Sequence, residues 1–63
     1  MLTMTFHESY GEIPSTLFRA MTRYKVTPAE FYAMEYAGMS HVEMEDHILS
    51  HIVDGRFTQP LYL

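Results

Sequence analysis

With 63 residues and no cysteine, the chain has room for one small domain and no disulfide to reinforce it, which excludes a disulfide-stapled scaffold. A chain of about 60 residues buries only about 60% of the surface that it exposes when unfolded, so oligomerisation is the remaining source of added stability. The net charge of −4 is unevenly spread: residues 1 to 27 hold three bases against Glu8 and Glu12, or +1, and residues 28 to 63 hold Arg56 against six acids, or −5.

Such polarity favours contact between opposite halves, or with a partner drawn to acid, and works against a phosphate backbone approaching the second half. No apolar run approaches the roughly 18 to 20 residues that span a bilayer, and the N-terminus lacks the basic start and apolar block of a signal peptide. The expectation is a soluble cytoplasmic protein without a membrane partner.

Residues Met1 to Tyr10 alternate weakly, with Leu2, Met4 and Phe6 on one side and Thr3 and Thr5 on the other, which reads as a short extended arm. Gly11 interrupts it. Ile13-Pro14-Ser15 then offers a helix start, and Ile13, Leu17, Ala20, Met21 and Tyr24 form an apolar stripe with Ser15, Arg19, Thr22 and Arg23 facing away. A first helix is predicted over 14–25. Thr27, placed before a proline, is disfavoured in helical conformation and marks a break.

Thr27-Pro28-Ala29-Glu30 is a capping box with proline at the first helical position, and Gly38 can take the left-handed conformation that ends a helix. A second helix is predicted over 28–38. Ser40 and Glu43 repeat the capping-box spacing, and Gly55 closes the next run, so a third helix is predicted over 41–54. Pro60 rules out helix in the tail from Arg56 to Leu63, but Phe57, Leu61, Tyr62 and Leu63 argue that this tail packs back on the bundle. The fold class expected is all-α: a small three-helix domain with an N-terminal arm and a C-terminal tail.

Steps of about 100° around each helix separate the last two in kind. The third is amphipathic, with Val42, Ile48, Leu49, Ile52 and Val53 on one side and Glu43, Asp46, His47, Ser50 and Asp54 on the other. The second carries Phe31, Met34 and Ala37 on one side and Ala29, Tyr32, Ala33 and Tyr36 on the other, with Glu30 and Glu35 its only charges. A helix apolar nearly all round requires burial on two sides, and in so short a chain one of them is expected to meet a second molecule. Tyrosine and methionine are enriched at protein interfaces. Phe31, Tyr32, Met34, Tyr36, Met39 and Met44, grouped around the central turn, are therefore the candidate interface, most simply that of a symmetric homodimer.

Other constellations carry less. The two helices joined at Gly38-Met39-Ser40 resemble a helix-turn-helix DNA reader in outline, which is the alternative function, but Glu43, Glu45 and Asp46 in the first turns of the third helix offer no base for phosphate or guanine. His47 and His51, spaced i and i+4 after Glu43, have metal-ligand spacing but need a further ligand from elsewhere, so no metal is assigned. Glu45 falls within the apolar arc of the third helix, where a carboxylate needs a partner, and Arg19, Arg23 or Arg56, within the chain or across a dimer, would complete a buried salt bridge. No phosphate loop, cysteine nucleophile or serine with a matched base is present, and neither enzymatic activity nor a cofactor is expected.

The length, the start Thr5-Phe6-His7-Glu8-Ser9-Tyr10-Gly11 and the segment Thr27-Pro28-Ala29-Glu30-Phe31-Tyr32 resemble a family of small early proteins of lambdoid bacteriophages, encoded between the recombination exonuclease and excisionase genes. The resemblance implies expression early in lytic growth in the bacterial cytoplasm, a contribution to lysis over lysogeny and interference with the host cell cycle. It implies no catalytic residues and does not supply the host or phage protein that would be the target.

Overall fold

A computed structural model describes residues 3–58. The elements run β1 (Met4–His7), β2 (Gly11–Pro14), α1 (Ser15–Arg23), α2 (Pro28–Tyr36), α3 (His41–Ser50), β3 (Ile52–Val53) and β4 (Arg56–Phe57). Three helices are present, each starting within one residue of its expected position and ending two to four residues early, but the all-α expectation is overturned by two antiparallel hairpins, β1 with β2 and β3 with β4.

Each hairpin has a local cause. In the first, His7 pairs with Gly11 across the three residues Glu8, Ser9 and Tyr10, and Gly11 takes φ +74. A left-handed residue after a short loop is a common hairpin closure, and glycine adopts it at no steric cost. The extended arm is therefore one strand of a ribbon whose register places Met4 opposite Pro14 and Phe6 opposite Glu12. The Ser15 amide donates to the Thr3 carbonyl at 2.8 Å and ties the ribbon to the start of α1.

In the second hairpin, Val53 pairs with Arg56 across Asp54 and Gly55, both at positive φ (53 and 75). Two left-handed residues in a two-residue loop match the right-handed twist of the flanking strands, and Asp-Gly favours this turn. Gly55 thus turns a hairpin and does not end a helix. α3 stops at Ser50, with His51 as its C-cap, short of the expected Asp54.

The helix ends follow the expected chemistry more closely. Thr27 accepts from the Glu30 amide at 3.2 Å while Glu30 accepts from the Thr27 amide at 2.8 Å, and Ser40 and Glu43 repeat the exchange at 3.3 and 2.9 Å. α1 lacks a side-chain cap, because Pro14 occupies the capping position outside the helix. Both α1 and α2 end in the paired backbone bonds of a Schellman turn. These run Val26 to Met21 and Lys25 to Thr22 in one case, Met39 to Met34 and Gly38 to Glu35 in the other.

The core is formed by Ile13 from β2, Leu17 and Met21 from α1, Phe31 and Met34 from α2, Met44 and Ile48 from α3 and Phe57 from β4. Of the tail expected to pack back on the bundle the structure describes Arg56, Phe57 and Thr58, and of these Phe57 is buried. Leu61, Tyr62 and Leu63 lie outside the described residues, as do Met1 and Leu2.

Candidate interaction surface

α2 divides the candidate interface in two. Phe31 and Met34 face inward and are buried, as is Met44 of α3, and Met39 is half-buried against the same cluster. Phe31, Met34 and Met44 are thus corrected from interface candidates to core residues. The reason is spacing: residues three apart on a helix share a face, and Phe31 and Met34 meet the buried residues of the other helices.

The opposite side of α2 remains open. Ala29 and Ala33 are exposed, Tyr32 retains 46% of its accessible surface and Tyr36 95%. Tyr32 packs edge-on against Phe31 and its hydroxyl donates to the Ser9 carbonyl, so one of the two rings is oriented by the first hairpin while the other stands free. Glu30 and Glu35 bracket this face, and α2 contains no base.

The remaining apolar positions also differ from the helical wheel. On α3 the buried pair is Met44 and Ile48, whereas Leu49 and Val42 retain 52% and 79% exposure. The first hairpin turns its Met4 and Phe6 side outward, with Phe6 at 75% exposure, and its hydroxyl side toward α1, where Thr5 Oγ1 and Ser15 Oγ lie 2.6 Å apart. Sequence alternation identified the two sides of this strand but not which faces solvent.

Glu45 is half-buried, and none of the described polar or charged residues is fully buried, so the expected buried salt bridge is replaced by a different arrangement. Thr16 Oγ1 donates to Glu45 Oε1 at 2.8 Å. Glu45, Arg19 and Arg23 nonetheless share one groove between α1 and α3, floored by Ala20, Tyr24 and Leu49. Arg23 lies over the Tyr24 ring at 5.7 Å from its centroid. A larger, open concavity between β1 and α1 is lined chiefly by hydroxyls, among them Thr5, Ser15, Thr16 and Thr22, with Arg19 and Phe18 at its side.

His47 and His51 lie with ring centroids 4.3 Å apart, and His51 Nδ1 sits 2.8 Å from the His47 carbonyl oxygen. His47 Nε2 is buried and has no hydrogen-bond partner among the described residues. Burial, followed by the neighbouring His51, holds the His47 pKa below its usual value, with Asp46 opposing. Among the described residues no group of three His, Cys, Asp or Glu side chains converges as metal ligands would. The start of α3 exposes Val42, Glu43 and Asp46, a surface without the cations that duplex binding uses.

No family model, no curated protein and no solved structure matches this chain. Among the described residues no helix is long and apolar enough to cross a membrane.

Proposed function

We propose that this chain is a non-enzymatic early phage protein that acts by protein-protein contact. In this reading it pairs first with a second copy of itself, then engages a host or phage protein in the bacterial cytoplasm, and so favours lytic development over lysogeny. The observation that carries the reading is the open side of α2, where Tyr36 stands 95% exposed beside Tyr32, Ala29 and Ala33. Scattered exposed apolar residues are ordinary on any protein surface. A contiguous helix side with two aromatic rings is different, because tyrosine provides contact area at a small cost in side-chain freedom and recurs among residues that dominate binding.

The phage setting comes from the resemblance of the Thr5 to Gly11 and Thr27 to Tyr32 segments. The mechanism is occupancy: an apolar patch with an acidic rim covers a regulator's own contact surface. Sedimentation equilibrium over a wide concentration range tests the first step, with a monomer-dimer equilibrium expected for the native chain and a monomer for Tyr36→Ala. A native chain that remains monomeric throughout contradicts self-association. The lysogenisation frequency of a phage carrying Tyr36→Ala tests the second step, and a frequency equal to the parent's contradicts a role for this face in lytic choice.

A further inference from the structure

We infer that the open face of α2 docks into the α1/α3 groove of a second copy, each chain giving a helix and receiving one. The inference rests on the self-association proposed above and names its other half. The simplest symmetric alternative, α2 against α2, is opposed by charge: Glu30 and Glu35 flank the apolar face, and no base on α2 offsets them. Like charges brought together at an interface are strongly unfavourable.

The groove has the complementary character. Its floor is apolar, with Leu49 at 52% exposure beside the buried Ala20 and the half-buried Tyr24, and the exposed Arg19 and Arg23 line it. Among the described residues Glu45 is the one acid lining it, and it already accepts from Thr16. The volume, about 190 Å³, is below the roughly 300–1,000 Å³ of small-molecule sites and suits insertion of an aromatic side chain. Tyr36, or Tyr32 beside it, would lie on Leu49 and Ala20 while Glu35 approaches an arginine. On the α1 side the pairing sets part of the −5 segment against part of the +1 segment, while the α3 side, with Glu45, belongs to the −5 segment itself. Reciprocal exchange of two identical contacts closes the assembly as a dimer and leaves no free end for a filament.

Charge exchange in the full-length chain tests the contact. Arg19→Glu combined with Arg23→Gln makes the groove acidic, and Glu35→Lys makes the helix rim basic at an exposed position outside the capping box. Sedimentation equilibrium is expected to show each variant alone associating at least about tenfold more weakly than the native chain. Mixing the two restores association, because the mixed dimer has one native contact and one with exchanged charges. Circular dichroism checks that each variant keeps its helices, and Glu35→Lys with the native chain tests the same contact if the arginine variant folds poorly. If Tyr36→Ala abolishes a native dimer that the charge variants leave unchanged, the groove assignment is overturned while self-association through α2 stands. A native chain that is monomeric at every concentration overturns both.

Discussion

The Phe57 amide donates to the Tyr24 carbonyl at 2.9 Å, joining the second hairpin to the C-cap of α1. This bond sets a buried ring between elements distant in sequence: Phe57 is 1% exposed and meets His47 edge-on with centroids 5.7 Å apart. The Thr58 amide adds a bond to the His51 carbonyl at 2.9 Å. Removing a fully buried phenylalanine side chain costs about 3–5 kcal/mol, and proteins have only about 0.05–0.15 kcal/mol of stability per residue. Phe57→Ala is therefore expected to remove most of the stability of the domain, seen as a large fall in the urea midpoint followed by circular dichroism. A midpoint within error of the native value would mean that the hairpin does not contribute to the folded core.

Lys25 marks a site where the sequence is not optimal for its backbone. It occupies the left-handed position of the Schellman turn after α1 at φ 57, where Gly38 serves after α2 at φ 86. The left-handed conformation costs an L-residue roughly 1–2 kcal/mol, partly offset because glycine loses more chain entropy on folding. Lys25→Gly is expected to stabilise by about 0.5–1 kcal/mol, a rise of roughly 2–8 °C in Tm for a domain this small. Gly38→Ala is expected to lower Tm; among the described residues no atom beyond the two adjoining residues lies within 4 Å of the added Cβ, so the penalty is conformational and not a clash. Thermal melts of the two variants should move in opposite directions.

Two groups give stability a pH dependence. For His47 the folded pKa lies below the unfolded value of about 6.5, chiefly through burial, so the unfolded chain binds more protons and stability falls as pH drops through that value toward the folded pKa. For Glu43 the cause is the backbone and side-chain hydrogen bonds with Ser40, which hold its pKa below the ordinary glutamate value. Its contribution is fully present above the unfolded pKa and is lost as pH falls through the folded pKa. Urea midpoints measured from pH 8 to pH 3 are expected to decline in two stages. His47→Asn should flatten the first, and Glu43→Gln the second. A midpoint constant between pH 7.5 and 5.5 would rule out the His47 contribution.

The helices were legible because their signals are local. Thr27-Pro28-Ala29-Glu30 and Ser40 with Glu43 specify where helices begin through bonds within four residues, and the corresponding capping boxes are present. The second hairpin is hard to read for a related reason: Asp54-Gly55 is a strong hairpin signal, yet a glycine after an apolar run also fits a helix end. The β-branched Ile52 and Val53 immediately before it were the available clue. What periodicity could not provide was sidedness in a helix apolar all round. Phe31 and Tyr32 are adjacent and both aromatic, but one is buried and the other open, which depends on where α1 and α3 lie. Glu45 shows the same limit, since an angle within an apolar arc did not reveal Thr16 as its partner.

Phe31 and Tyr36 separate folding from association, although both are aromatic residues on one helix. Phe31 is 1% exposed and packs on Tyr10 at 4.8 Å between centroids, so Phe31→Ala is expected to cost about 3–5 kcal/mol and to lose helical signal along with any binding. Tyr36 has little to lose within the chain, because a side chain 95% exposed makes few packing contacts; its truncation should change stability by no more than about 0.5 kcal/mol. Circular dichroism and urea titration on one sample, with sedimentation on another, distinguish the cases. A Tyr36→Ala variant that retains the native midpoint but no longer dimerises assigns that ring to the interface. A variant that loses its fold would instead place Tyr36 in the core of the assembled protein, and the monomer described here would then need its partner to be stable.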